Sequence, residues 1–137
     1  MMKNIKRFSE ITFIGVFMIL FNACDDNSEL FTISTPTAPV LASVGFTELE
    51  LDAVNTNNPA ITLDWQEADY GQQASINYAI EFSGDNAFTA PVTAATVTGQ
   101  TTVTLSVSEV NANAGSAGLN PFELKALYIR VVSTIGS

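Results

Sequence analysis

"ITLDWQEADYGQQASINYAIEFS", residues 61–83, decides how this chain folds. Ile61, Leu63 and Trp65 alternate with Thr62, Asp64 and Gln66. After a turn-rich interval, Ile76, Tyr78, Ile80 and Phe82 alternate with Asn77, Ala79, Glu81 and Ser83. Successive side chains of an extended chain point to opposite faces, so a period of two describes strands with one buried face and one wet face. Between them "YGQQ" at 70–73 carries a turn glycine, and "SGDN" at 83–86 ends the second run.

The same period continues outward in both directions. "ELELDA" sets Leu49, Leu51 and Ala53 against Glu48, Glu50 and Asp52. "VTLSVS" sets Val103, Leu105 and Val107 against Thr104, Ser106 and Ser108. "LKALYIRVVS" sets Leu127, Ile129 and Val131 against Tyr128 and Arg130. "NTNNP" at 55–59 marks a further turn. Antiparallel strands at this spacing predict an all-β sandwich. Ser106 and Glu109 have the spacing of a capping box, Val110 and Ala114 share a helical face, and Gly115 would end that short helix. The chain closes on "TIGS", a turn signal after a strand, so a following strand is expected beyond it.

The first residues read as an address. Lys3, Lys6 and Arg7 precede "ITFIGVFMILF", residues 11–21. As a helix that run would be roughly 16 Å long against a hydrocarbon core of about 30 Å. A cationic start, a short apolar middle and a small residue before the break describe a secretory signal. "LFNAC", residues 20–24, resembles the lipobox of bacterial lipoproteins: Ala23 before Cys24 fits it, whereas Phe21 and Asn22 depart from it. Lipidation of Cys24 would remove a lone thiol from an oxidising compartment. Several acyl chains, at about 0.8 kcal/mol per buried CH₂, would moor the protein in a bilayer. Asp25, Asp26 and Glu29 follow directly and resemble the acidic signal that sends lipoproteins of Bacteroidetes to the outer face of the outer membrane. The Ser-, Thr- and Pro-rich "NSELFTISTPTAP" reads as a linker. The expected division is 1–23 signal peptide, 24–38 lipidated tether and 39–137 sandwich domain, with its last strand or later domains lying beyond.

Composition narrows the chemistry. The 137 residues include 14 acidic and 5 basic ones and no histidine. Past the signal, Lys125 and Arg130 are the basic residues. So negative a surface is repelled by phosphate backbones, so no nucleic-acid partner is expected. Without histidine there is no Ser–His or Cys–His pair, and no G-x-S-x-G, G-x-G-x-x-G or P-loop is present. Asp64, Glu67 and Asp69 form an acidic cluster that a glycosidase would need in a cleft, and solvated turns explain it more simply. Asp52, Asn55 and Asn57 offer oxygen ligands to calcium but lack the spacing of an EF-hand loop. Trp65 and Tyr78 share their faces with aliphatic residues and read as core. Tyr70, in a turn, is the better exposed aromatic. No catalytic residue, cofactor or metal site is expected, and no glycan-binding residue is assigned.

Trp65, Ala68, Asp69, Tyr70, Gly71, Tyr78, Asn111, Gly118, Leu119, Pro121, Arg130 and Val131 occur here in an order that resembles the N-terminal domain of SusE-type outer-membrane proteins. That pattern runs from a Trp-bearing strand through an Ala-Asp and aromatic-Gly turn to a Tyr-bearing strand. A "V-x-x-x-N" turn, a "G-L-x-P" turn and an "R-V" strand follow. The resemblance covers residues 38–137. It implies a fold like fibronectin type III or immunoglobulin domains. It implies a surface lipoprotein beside SusC- and SusD-like partners, accessory to capture of starch or oligosaccharides by a polysaccharide-utilisation system. In that setting this domain is a membrane-proximal spacer, and glycan is bound by later domains. The rival expectations are a spacer of a surface glycoside hydrolase and an adhesion module that binds proteins through a sheet edge.

Overall fold

A computed structural model describes residues 35–136. The strands are β1 (Val40–Leu41), β2 (Pro59–Gln66), β3 (Ile76–Ser83), β4 (Val92–Thr98), β5 (Thr102–Ser106) and β6 (Tyr128–Ile135), with one helix, α1 (Val107–Ser116). They form two three-stranded antiparallel sheets, ordered β1-β2-β5 and β4-β3-β6. The expected all-β sandwich is the observed one.

The period-two residues meet between the sheets. Ile61, Leu63 and Trp65 of β2 face Ile76, Tyr78, Ile80 and Phe82 of β3, and Leu105 and Val110 complete the cluster. Leu63, Ile80 and Phe82 are wholly buried. Each such side chain contributes about 1.5–3 kcal/mol by leaving water. The partners of the alternation stay wet: Thr62, Asp64 and Gln66 are exposed on the outer face of β2. There Thr62 and Thr104 join their hydroxyls across the β2–β5 pair at 2.9 Å.

Where periodicity alone misleads, the pairing explains it. "ELELDA" alternates yet forms no strand. β2 already has β5 on one side and β1 on the other, and Ala42 donates its N–H to the Asp64 carbonyl at 2.8 Å. Asp52 then turns the chain, its Oδ1 accepting the amides of Val54 (2.8 Å) and Asn55 (3.3 Å). Leu51 packs on the core from a loop, while Leu49 is exposed.

Conversely, β4 is a strand that the alternation hides. Its register against β3 slips so that Ile80 faces Ala95 and Glu81 faces Thr93, which leaves Ala94 as the extra residue of a bulge. Two half-buried alanines in succession break the period.

α1 starts as its capping box predicts. Ser106 Oγ accepts the Glu109 amide, and Glu109 Oε2 accepts the Ser106 amide at 2.8 Å. The "NTNNP" turn completes the cap, since Val107 and Ser108 donate to the carbonyls of Asn58 and Thr56 at 2.9 and 2.8 Å. Val107 therefore opens the helix rather than closing the strand. Asn111 lies within α1, not in a turn. The helix runs through Gly115, and the left-handed residue behind it is Gly118, at φ +89°. β6 continues two residues further than the alternation suggests, through Thr134 and Ile135 to Gly136 at φ +88°. Among the described residues, no helix is long and apolar enough to cross a membrane.

Candidate functional site

The loop from β2 to β3 carries Glu67, Asp69 and Tyr70 of the polar side chains that the sequence singles out. Ala68 is buried and donates its N–H to the Tyr78 hydroxyl at 3.1 Å, which pins the loop to the core. Asp69 exchanges backbone hydrogen bonds with Thr37, at 2.7 and 3.1 Å, so the chain ahead of β1 docks here. Its carboxylate accepts the Gly71 amide at 2.7 Å. Gly71 takes φ +69°, a conformation that glycine adopts without steric cost.

This loop borders an open groove of about 740 Å³ lined by Glu67, Asp69, Tyr70, Gln72, Gln73 and Ser75 among others. The groove brings Glu67 and Asp69 to one place. Asp64 is not on its wall but on the outer face of β2. Asp69 spends one carboxylate oxygen on its own turn. Tyr70 is half-buried rather than a free platform: its hydroxyl donates to the Ser133 carbonyl at 2.8 Å and lies 2.9 Å from the Ser133 hydroxyl. It ties the β2–β3 loop to β6 and packs against the core. Trp65 is 5 % exposed, with its ring 5.4 Å from that of Tyr78. Its face is therefore closed to any ligand, and among the described residues its Nε1 has no hydrogen-bond partner.

The oxygen-rich turn is likewise committed to its own chain. Asp52 Oδ2 accepts from Asn55 Nδ2 at 2.7 Å. That bond first, then the amides of Val54 and Asn55, holds the Asp52 carboxyl below its usual range. Among the described residues, no group of three or more Cys, Asp or Glu side chains is placed to hold a metal ion.

Two further constellations escape the sequence reading. Arg130 Nε donates to Glu81 Oε2 at 2.7 Å across the β3–β6 pair, and its guanidinium carbon stands 4.4 Å from the centroid of Phe88. Phe88 adopts φ +50°, unusual for a side chain of its size. The turn that presents it is organised by Asp85. Desolvation pushes the Asp85 carboxyl up, but hydrogen bonds from the Thr89 and Ala87 amides and the Thr89 and Ser83 hydroxyls outweigh it and bring it below its usual range. The signal for this pair lay in the register, because Glu81 and Arg130 become opposite only once β3 and β6 align.

At these positions the described surface holds turn chemistry and cross-strand ties. Cys24, the residue expected to carry lipid, lies outside the described residues, as do the signal peptide and most of the tether.

A model of the SusE outer membrane protein family matches residues 25–132. The chain belongs to that family. No curated protein and no solved structure matches it. The SusE match starts at the residue after Cys24, spans β1 to β5 and α1, and ends within β6 at residue 132. Membership makes this an outer-membrane, surface-associated protein of polysaccharide utilisation, in an accessory family rather than a known family of enzymes. The residues that carry the resemblance hold the structure together. Trp65, Ala68 and Tyr78 are core, Gly71 and Gly118 are left-handed turn residues, and Arg130 makes the Glu81 tie.

Proposed function

We propose that this SusE-family chain is a lipid-anchored protein of the cell surface, accessory to capture of starch or other oligosaccharides, and that its sandwich is the membrane-proximal spacer of that apparatus. Cys24, acylated after cleavage of residues 1–23, is the anchor. Asp25, Asp26 and Glu29 lead the chain to the outer face, and residues 24–38 tether the domain. The observation that carries the reading is the family match over residues 25–132, which begins directly behind the cysteine. The strand order β1-β2-β5 against β4-β3-β6 supports an immunoglobulin- or fibronectin type III-like domain. SusC- and SusD-like proteins are the proposed neighbours in the membrane.

The spacer role is supported by where these side chains are used. The tryptophan is in the core, Tyr70 is tied to β6, and the carboxylates of Asp52, Asp69 and Asp85 accept amides of their own turns. Sugar recognition needs exposed aromatic faces and free polar groups. The glycan is assigned to later domains of the protein, as the SusE-type resemblance implies, and no residue of this one is assigned to it.

Two measurements test the proposal. Cys24→Ala should abolish metabolic labelling with a fatty acid and release the protein from the membrane fraction; unchanged labelling refutes the anchor. Calorimetric titration of the full-length protein with maltooligosaccharides and other glycans should give heat. No heat with any glycan refutes the capture role.

A further inference from the structure

The outer face of the β4-β3-β6 sheet carries a guanidinium that is held in place but not used up. Ile129 and Val131 of β6 turn inward and pack on the core, so Tyr128 and Arg130 face outward, opposite Ser83 and Glu81 of β3. Arg130 is fixed twice. Its Nε donates to Glu81 Oε2 at 2.7 Å, and its guanidinium carbon stands 4.4 Å from the centre of the Phe88 ring. The Asp85 turn sets Phe88 in its turn, at φ +50°. A carboxylate that engages an arginine as a fork takes two of its N–H groups. Glu81 takes Nε alone. Among the described residues nothing accepts from Nη1 or Nη2, and nothing donates to Glu81 Oε1. That oxygen is open to solvent, because among the described residues Trp65 Nε1 is the one buried side-chain atom without a partner.

Donors and an acceptor therefore stand side by side on a rigid support. The exposed ring of Tyr128 lies on the same face, two residues or roughly 7 Å along the strand. An arginine positioned in advance leaves a ligand less side-chain entropy to remove. Two neighbouring hydroxyls match this arrangement. One accepts from Nη, the other donates to Oε1, and the C–H face beside them packs on an aromatic ring. Charge selects against the anions that arginine forks otherwise bind. The Arg130–Glu81 pair is neutral as a unit, and 14 acidic residues stand against 5 basic ones in the chain. A phosphate or carboxylate is repelled by such a surface, whereas an uncharged polyol is not.

We propose that Glu81, Tyr128 and Arg130 form a shallow contact site for a neutral saccharide, held through a vicinal diol. The inference rests on the glycan reading above and adds to it. Besides spacing, the sandwich touches the polymer weakly, while later domains hold it. A site so small and open supports a Kd of roughly 1 mM.

Residue-resolved NMR titration of the isotope-labelled chain to Ser137, in detergent, tests it. The neutral probes are maltohexaose, xylohexaose and mannohexaose, and the anionic one is hexagalacturonate. At least one neutral probe should shift the Arg130 Nε–H signal and the amides of Glu81 and Tyr128, and hexagalacturonate should bind at least about 10-fold more weakly. Arg130→Lys keeps the charge but loses the fork, and should abolish the shifts. Tyr128→Ala leaves the Arg130–Glu81 tie intact and should weaken binding by roughly 5-fold or more. Unshifted signals of Leu63 and Ile80 would show that both variants are folded. No response to any neutral probe at about 10 mM overturns the site. So do shifts confined to the groove at Asp69 and Gln72, parental binding by both variants, or hexagalacturonate binding as tightly as the neutral probes. None of these outcomes alters the heat expected of the full-length protein through its later domains, so the two readings fail separately.

Discussion

Tyr78→Phe removes one oxygen from the centre of the sandwich and leaves its ring in place. The Tyr78 hydroxyl accepts the Ala68 amide at 3.1 Å, with Tyr78 1 % and Ala68 2 % exposed. The phenyl ring would keep its contact with Trp65, so packing is nearly conserved. What changes is the Ala68 N–H, which is left buried without an acceptor. A buried donor stripped of its partner costs about 1–3 kcal/mol. For a domain of this size each kcal/mol lowers Tm by roughly 4–8 °C, so a fall of about 5–20 °C is expected. Tyr70→Phe is the internal control. It too removes a hydroxyl bond, to Ser133, but at a half-buried site where water can replace it, so it should cost about 1 kcal/mol or less. Thermal and urea unfolding followed by circular dichroism would measure both, with an unchanged urea slope showing that the same surface is exposed on unfolding. A Tyr78→Phe protein within about 0.5 kcal/mol of the parent, or less affected than Tyr70→Phe, would refute the argument that the β2–β3 loop is pinned through this hydroxyl.

Other consequences are as direct. Ser106→Ala takes away the side chain that caps Glu109 and should destabilise the domain by about 0.5–2 kcal/mol in urea titration; a neutral result would show that the Thr56 and Asn58 carbonyls cap α1 unaided. Gly84→Ala should cost about 1–3 kcal/mol, because a Cβ there would stand 2.8 Å from the Ala117 carbonyl oxygen, which is backbone and moves little. Stability should fall in acid. Asp52, Asp85 and Glu109 all have folded pKa values below their usual ones, so the stability they contribute is complete above the unfolded carboxylate range and is lost as pH drops through the folded values. Urea midpoints measured from pH 7 to pH 3 should decline chiefly below about pH 4, and a midpoint that rises over that interval would contradict the assignment.

The fold was legible wherever one residue type occupied one face for a whole strand. Ile61, Leu63 and Trp65, then Ile76, Tyr78, Ile80 and Phe82, state both that there are strands and which side is buried, because the hydrophobic effect depends on composition and spacing alone. The capping box at Ser106 and Glu109 was equally local and equally legible. Pairing partners are not local. Whether "ELELDA" becomes a strand depends on a partner segment, and among the described residues none pairs with it; whether "VTAATVT" does depends on β3, which accepts it with a bulge that erases the period. The same holds for the tie of Tyr70 to Ser133, 63 residues away, and for Arg130 between Glu81 and Phe88. Side-chain alternation records burial, which each residue carries with it. Hydrogen-bond register is a relation between distant segments, and it exists only once the sheets are assembled.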